Sequence, residues 1–318
     1  DGIRDVAVTG VQTWLFRSFG SGGSTSKEGL DYRIDVSRAS SDGFINDTAS
    51  RSAQLSGALD FQVNAGFKLF GALEHKNDHA NPYWGTPLVP AAATGANAAG
   101  GIVSGSYVSN YNSTNLGAVT IDSRSLTTNY NVLDNYTKAE ENMLRGGFEW
   151  SLRNNLTFRD QLYYYTARRE WFNNEVIAYN TGTGLLDRER FFVSHNQRIL
   201  GNKAELQWDG KISGMDNRLV TALDSSNLNF VRPGAANFPA DTVNVVDPAR
   251  GVYGLLTIQK QTTDISNKAL SIEDRLKVTP AVALIGGLRY ETIDLDRTSV
   301  NVAGASRSSF PYSRSEEH

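Results

Sequence analysis

Cysteine is absent from the 318 residues, which excludes disulfide frameworks, thiolate zinc sites, iron–sulfur centres and cysteine nucleophiles. Histidine is scarce, with four in all. Long hydrophobic runs are also missing. The longest apolar stretch, Ala281 to Gly287, is far short of the roughly 20 residues that an α-helical span requires. Nor is there an excess of one charge: 31 Lys+Arg stand against 34 Asp+Glu, net −3, with both signs interleaved, so no positive stripe for nucleic acid emerges. Proline is limited to Pro82, Pro87, Pro90, Pro233, Pro239, Pro248, Pro280 and Pro311, all expected in loops or turns. Every expected strand is then left with an intact hydrogen-bond ladder. A 40% hydrophobic content excludes wholesale disorder.

What is present is alternation with a period of two. Leu30, Tyr32, Ile34 and Val36 alternate with Asp31, Arg33, Asp35 and Ser37. Leu55, Gly57, Leu59, Phe61 and Val63 do the same, and Asn64-Ala65-Gly66 turns the chain into Phe67, Leu69, Gly71 and Leu73. Such segments joined by a tight Asn/Gly turn read as a β-hairpin. The pattern recurs in Leu144 to Leu152, a turn at Arg153-Asn154-Asn155, and Leu156 to Tyr164. It recurs again around a turn at Gly214-Met215-Asp216-Asn217, and around Thr279-Pro280 between Leu270 to Val278 and Val282 to Tyr290.

Each segment carries one apolar face and one face of charged and polar residues. In a soluble β-sandwich a second sheet covers the apolar face; in a membrane barrel lipid does so and the lumen holds the charges. Three features favour an all-β, antiparallel transmembrane β-barrel. Short turns lie at one set of strand ends, whereas the opposite connections, Asn77 to Ala139 and Val231 to Val252, are long and polar. Proline is kept out of the expected strands. Aromatic residues (Phe61, Phe67, Trp150, Trp208 and Tyr290) sit near segment ends on the apolar face, where a lipid interface favours amphipathic rings. Asp160 and Asp274 break the apolar face, and a bulge that re-aims each side chain is expected.

The two ends share a relation visible through the genetic code. Leu15-Phe16-Arg17-Ser18 can be written CTC TTC CGA TCT, whose reverse complement encodes Arg314-Ser315-Glu316-Glu317. Residues 1–18 and 314–318 are accordingly expected to be adapter-like, non-native scars flanking a barrel fragment at 19–313.

No catalytic constellation is found. His75 and His79 flank a strand exit rather than a helix face and read as surface imidazoles, so no metal site is expected. There is no Gly-x-Ser-x-Gly elbow, and Gly20-Ser21-Gly22-Gly23 lacks the lysine of a phosphate loop. The loops are more informative. Tyr83 and Trp84 lie in the proline-bracketed segment Asn81 to Pro87, and Tyr163 to Tyr165, Trp171 and Phe172 cluster around another strand exit. Aromatics with polar tips suit a bulky, partly apolar ligand. Tyr83, Trp84, Tyr165, Trp171 and Phe172 are therefore the candidate ligand-binding residues.

Several of these segments resemble TonB-dependent siderophore receptors. Tyr32 to Phe44, ending in Ser-Asp-Gly-Phe, is similar to an early barrel strand and loop of that family; Tyr83-Trp84-Gly85-Thr86-Pro87-Leu88 is similar to a first-loop motif. Ile272 to Leu276 followed by Leu284 to Glu291 resembles its strand pair ending in Gly-Leu-Arg-Tyr-Asp, with Glu291 in place of the Asp. The resemblance implies part of a 22-strand outer-membrane barrel whose N-terminal plug is not in this chain. It also implies no resident cofactor, a ferric siderophore as ligand, the TonB–ExbB–ExbD complex as energising partner, and a bacterial outer-membrane location. Lumen charges such as Arg33, Arg145, Glu149, Lys203, Glu205, Arg275 and Arg289 would then meet the plug. A passive porin, a TonB-dependent importer of another cargo, and a secreted all-β adhesin or carbohydrate-binding sandwich share the strand pattern.

Overall fold

The computed structural model describes residues 15–25, 29–83, 85–91, 104–113, 117–236, 240–252, 257–301 and 304–317. Its strands are β1 (Leu15–Thr25), β2 (Leu30–Ser41), β3 (Ser50–Asn64), β4 (Phe67–Ala80), β5 (Val89–Pro90), β6 (Ser104–Ser113), β7 (Gly117–Asp122), β8 (Tyr136–Arg153), β9 (Leu156–Asn180), β10 (Leu185–Ile212), β11 (Met215–Ala236), β12 (Asp241–Val243), β13 (Thr257–Thr279), β14 (Val282–Asn301) and β15 (Gly304–Glu317). The large sheet runs β1-β2-β3-β4-β8-β9-β10-β11-β13-β14-β15, with every strand antiparallel to its neighbours, and it is not closed. β12 adds to the far end of β10, and β5, β7 and β6 form a small separate sheet. Among the described residues no helix is long and apolar enough to cross a membrane, which says nothing of strands.

Register fixes the two faces of the wall. The pairs Val36↔Leu55, Leu59↔Gly71, Leu73↔Leu144, Leu144↔Tyr164, Tyr164↔Leu200, Leu223↔Leu270 and Leu270↔Tyr290 put the apolar positions of neighbouring strands side by side on one face. No second sheet covers that face: Leu144 is 58% exposed, Leu162 54% and Leu223 60%. Such a continuous apolar band is the surface a bilayer buries, and it removes the sandwich reading. The opposite face carries the charges, several paired two residues apart along one strand, as in Arg33–Asp35, Lys203–Glu205 and Arg289–Glu291. Position i and i+2 share a face in a strand, so these pairs satisfy each other without crossing the wall.

The structure departs from the sequence expectations in three places. The turn expected at Gly214–Asn217 sits at Ser213 and Gly214, which take φ of 50° and 83°, the pair of positive values that a type I′ hairpin turn uses. Met215 already pairs with Ile212. Second, no bulge re-aims Asp160 or Asp274: the register runs unbroken through Ala204↔Asp160 and Leu219↔Asp274. Instead each carboxylate accepts a hydrogen bond from an asparagine on the adjacent strand and the same face, Asn202 at 3.0 Å and Asn217 at 2.6 Å. Third, Pro90, Pro233 and Pro311 lie within strands. Pro233 pairs towards Lys260 on β13, while the rungs that would join Arg232 and Pro233 to β10 are missing between Val193↔Gly234 and Asn196↔Val231. A residue without N–H is tolerated where a ladder is interrupted. Pro311 lies in β15, an edge strand in which one side of the backbone needs no partner.

The adapter-like ends are paired backbone: Leu15–Ser18 against Ser40–Ser37, and Arg314–Glu317 against Glu291–Leu288. Residues 1–14 lie outside the described residues.

The buried apolar cluster is not in the wall. Val89, Tyr130, Tyr179, Leu186, Val243 and Val245 pack together where the long connections meet the far ends of β9 and β10.

Candidate ligand site in the loop cap

β9 has 25 residues and β10 has 28. At about 3.3 Å per residue that is roughly 80–90 Å of strand, far more than a membrane of about 30 Å demands even at a steep tilt. The apolar run ends at Tyr164 and Leu200. Beyond it the hairpin continues as a polar arm against which residues 81–83, 85–91, 117–135 and 240–252 pack, and together they form a cap at one end of the wall.

Two arginines hold the cap. Arg188 is 1% exposed. Its Nε and Nη2 donate to the two carboxylate oxygens of Asp241 at 3.0 and 2.8 Å, Nη1 donates to the Tyr130 carbonyl at 2.6 Å, and Nη2 also reaches the Arg250 carbonyl at 3.1 Å. Arg250 in turn donates to the carbonyls of Asn131 and Val132 and pairs with Asp47 at 2.5 Å. A planar guanidinium can satisfy several acceptors in fixed directions, which is why it can be buried here. Arg188 is aimed by a local irregularity: Asp187 pairs with Ala178 but Arg188 with Val176, so Ile177 is an extra residue in β9.

Asn131 knits the cap to β9. Its side chain donates to Asn173 Oδ1 at 2.5 Å and to the Pro82 carbonyl at 3.1 Å, and its Oδ1 accepts from the Asn174 N–H at 2.8 Å. The Tyr130 hydroxyl donates to the Val245 carbonyl. Burial pushes the Tyr130 phenol up to about 12.

Between these parts lies a cavity of about 290 Å³, lined among others by Tyr83, Tyr130, Asn131, Asn174, Ile177 and Tyr179. The Tyr83 hydroxyl hydrogen-bonds with Thr86, and burial raises its pKa above the ordinary phenol value. Its ring meets Phe44 of the β2–β3 loop edge to face at 6.5 Å. Asn174 is 1% exposed and its Oδ1 has no hydrogen-bond partner. A larger concavity of about 610 Å³ lies between Leu200 and Asp296, on the face that carries the apolar band and outside the cap.

Of the candidate residues, Tyr83 lines the cavity and Trp84 lies outside the described residues. Tyr165, Trp171 and Phe172 are not brought to it. Trp171 and Phe172 are consecutive in a strand and point to opposite faces: Trp171 packs on Phe191 at 5.3 Å, whereas Phe172 stands between Tyr136 at 4.6 Å and Phe192 at 4.4 Å. Tyr165 has the parity of Trp171. Sequence reasoning missed Tyr130, Asn131 and Asn174, whose signal was the asparagine-rich runs Asn129-Tyr130-Asn131 and Asn173-Asn174.

Comparison with known proteins agrees with this architecture. Residues 83–316 match the family described as TonB dependent receptor-like, beta-barrel. Solved structures of the same fold include the siderophore receptor PiuA of Acinetobacter baumannii, with TM-score 0.73 and 12% identity over 96% of this chain and 44% of that one. The ferric-catecholate import receptor Fiu of E. coli K12 follows with TM-score 0.70 and 15% identity over 96% and 46%. The ferripyoverdine receptor of the outer membrane of Pseudomonas aeruginosa gives TM-score 0.67 and 13% identity over 94% and 38%. The chain thus spans less than half the length of these receptors. No curated protein sequence matches it.

Proposed function

The chain belongs to the TonB-dependent receptor-like β-barrel family, and on that premise we propose that the full-length protein is a bacterial outer-membrane receptor that imports a ferric siderophore without catalysing a reaction. The exposed apolar band meets lipid, and the cap receives the ligand. The TonB–ExbB–ExbD complex supplies energy through parts of the receptor beyond this chain. Iron arrives already chelated, so the receptor needs a shaped aromatic and amide surface rather than metal ligands.

The observation that carries this reading is the cavity lined by Tyr83, Tyr130 and Tyr179 together with the amides of Asn131 and Asn174. Phenol rings cover the flat apolar parts of a chelator, and phenol and amide side chains exchange hydrogen bonds with its hydroxyl or amide groups. The siderophore-receptor neighbours lend it support. Tyr83 is the foremost proposed ligand contact, with Trp84 next to it in sequence; Tyr165, Trp171 and Phe172, which do not line this cavity, are proposed as contacts along the arm. Replacing Tyr83→Ala in the full-length receptor should lower affinity for the transported ferric siderophore about ten-fold, the order expected for one buried aromatic contact. Radioiron uptake across a panel of siderophores reads this out; a Tyr83→Ala receptor with unchanged uptake and affinity would remove the ligand from this cavity.

A further inference from the structure

Three basic residues stand side by side just beyond the apolar band. Arg51 of β3 lies directly opposite His79 of β4, and His79 directly opposite Lys138 of β8. The register is unbroken between this row and the middle of the band, so Arg51 shares a face with Leu55 and Leu59, His79 with Leu73, and Lys138 with Leu144. Arg38 of β2, opposite Ala53, lies diagonal to Arg51 on the same face. Neighbouring strands are about 4.8 Å apart, which gathers the three bases within about 10 Å.

Lys138 has Glu170 directly across from it on the same face, whereas Arg51 faces His79, so the wall offsets the charges of this row only in part. Arg51 and Lys138 are exposed. Glu170, across from Lys138, is held by Arg168 at 2.5 Å, and Glu140 on the same face as Lys138 accepts from Asn142 at 3.4 Å. Asp78, beside His79 but on the other face, pairs with Lys76 at 2.9 Å. Tyr136 stiffens the row: Lys138 Nζ lies 4.3 Å from its ring centroid, and the His79 ring stacks on it at 6.4 Å.

Height decides what could reach these groups. Arg51 is four residues past Leu55, about 13 Å along a strand and about 10 Å along the membrane normal at an ordinary barrel tilt. That is headgroup level, on the side facing lipid rather than lumen. We propose that Arg51, His79 and Lys138 bind the phosphate of an anionic lipid headgroup in the leaflet surrounding the cap end of the barrel. The site rests on the bilayer reading of the apolar face and is independent of the cargo.

The test uses the full-length protein in neutral detergent, titrated with phosphatidic acid or phosphatidylcholine and followed by native mass spectrometry. The double variant Arg51→Gln, Lys138→Gln should bind phosphatidic acid about 25-fold more weakly, roughly five-fold for each lost charge, with phosphatidylcholine binding and siderophore uptake unchanged. Arg51→Lys should retain binding. Millimolar inorganic phosphate should leave the bound phosphatidic acid in place. Equal phosphatidic acid affinity in the double variant, or displacement of the lipid by inorganic phosphate, would overturn the assignment, and unchanged uptake in that variant keeps such a failure separate from the import reading.

Discussion

The wall and the cap are stabilised in opposite ways. In the wall, large apolar side chains such as Leu144, Leu162 and Leu284 point outward and stay exposed, whereas the buried apolar positions Ala222 and Ala269 on the opposite face are small. In the cap, apolar residues are buried but so are Arg188, Asn131, Asn173 and Asn174. A surface made for hydrocarbon needs only alternation and a complete ladder, because the solvent itself buries it. A cap standing in water has to enclose its own core, and its irregular backbone leaves carbonyls that only side-chain donors can satisfy. The difference teaches that the wall is specified by period and the cap by individual residues.

The comparison can be broken most forcefully at Arg188. Arg188→Met removes the donor to the carbonyls of Tyr130 and Arg250 and leaves Asp241 only the longer contacts from Arg190 and Asn174, a loss of about 3–5 kcal/mol for one half of a buried ion pair. Hydrogen exchange should rise around Tyr130 and residues 241–250, while heat-modifiable migration of the full-length protein, which reports the wall, stays unchanged. Loss of both would mean that wall and cap fold as one unit.

Next is the outer face. Leu162→Arg should cost about 2–4 kcal/mol in a bilayer, whereas Gln161→Arg, one residue away on the charged face, should cost little. Folding yield into vesicles against urea measures both, and equal effects would erase the distinction between the faces. Smaller again is the Asp160–Asn202 pair. Asn202→Leu strands a carboxylate on the apolar face at about 1–3 kcal/mol, and adding Asp160→Leu should restore most of that loss. A double variant as weak as the single one would show that the pair has a role other than mutual satisfaction.

The smallest effect concerns pH. The Tyr130 phenol is raised from its ordinary 10.0 to about 12 by burial, with the charge of Asp122 acting in the same direction. The neutral form belongs to the folded cap, so its contribution is complete below pH 10 and is lost as pH rises towards 12. Protease sensitivity of the cap should increase across that window, and Tyr130→Phe, at a constant cost of about 1 kcal/mol for the hydrogen bond to Val245, should remove the step.

Much of the wall was legible in the sequence because its rule is local. Leu55, Leu59 and Phe61 declare their face by spacing alone, and Ala65-Gly66 and Asn154-Asn155 close the hairpins where turn chemistry places them. The parity argument, carried further along β9, would also have separated Trp171 from Phe172. The asparagine partners of Asp160 and Asp274 were harder to see, since each lies on another strand and becomes a neighbour only once register is known. The cap was hardly legible. Arg188 and Asp241 are 53 residues apart, Arg250 and Asp47 are 203 apart, and no periodicity links such positions. Tyr83 was found through its rigid loop, while the residues that complete its cavity come from two other segments, around Tyr130 and from Asn174 to Tyr179.

The account depends on alternate apolar positions of the wall facing bilayer hydrocarbon. This is directly measurable: spin labels placed singly at Leu144→Cys, Arg145→Cys, Gln161→Cys and Leu162→Cys, in a full-length protein freed of any other cysteine and held in bilayers, can be probed by oxygen and by a water-soluble nickel chelate. Labels at 144 and 162 should be relaxed by oxygen and protected from nickel, with the reverse at 145 and 161. Nickel access at 144 and 162 equal to that at 145 and 161 would contradict it.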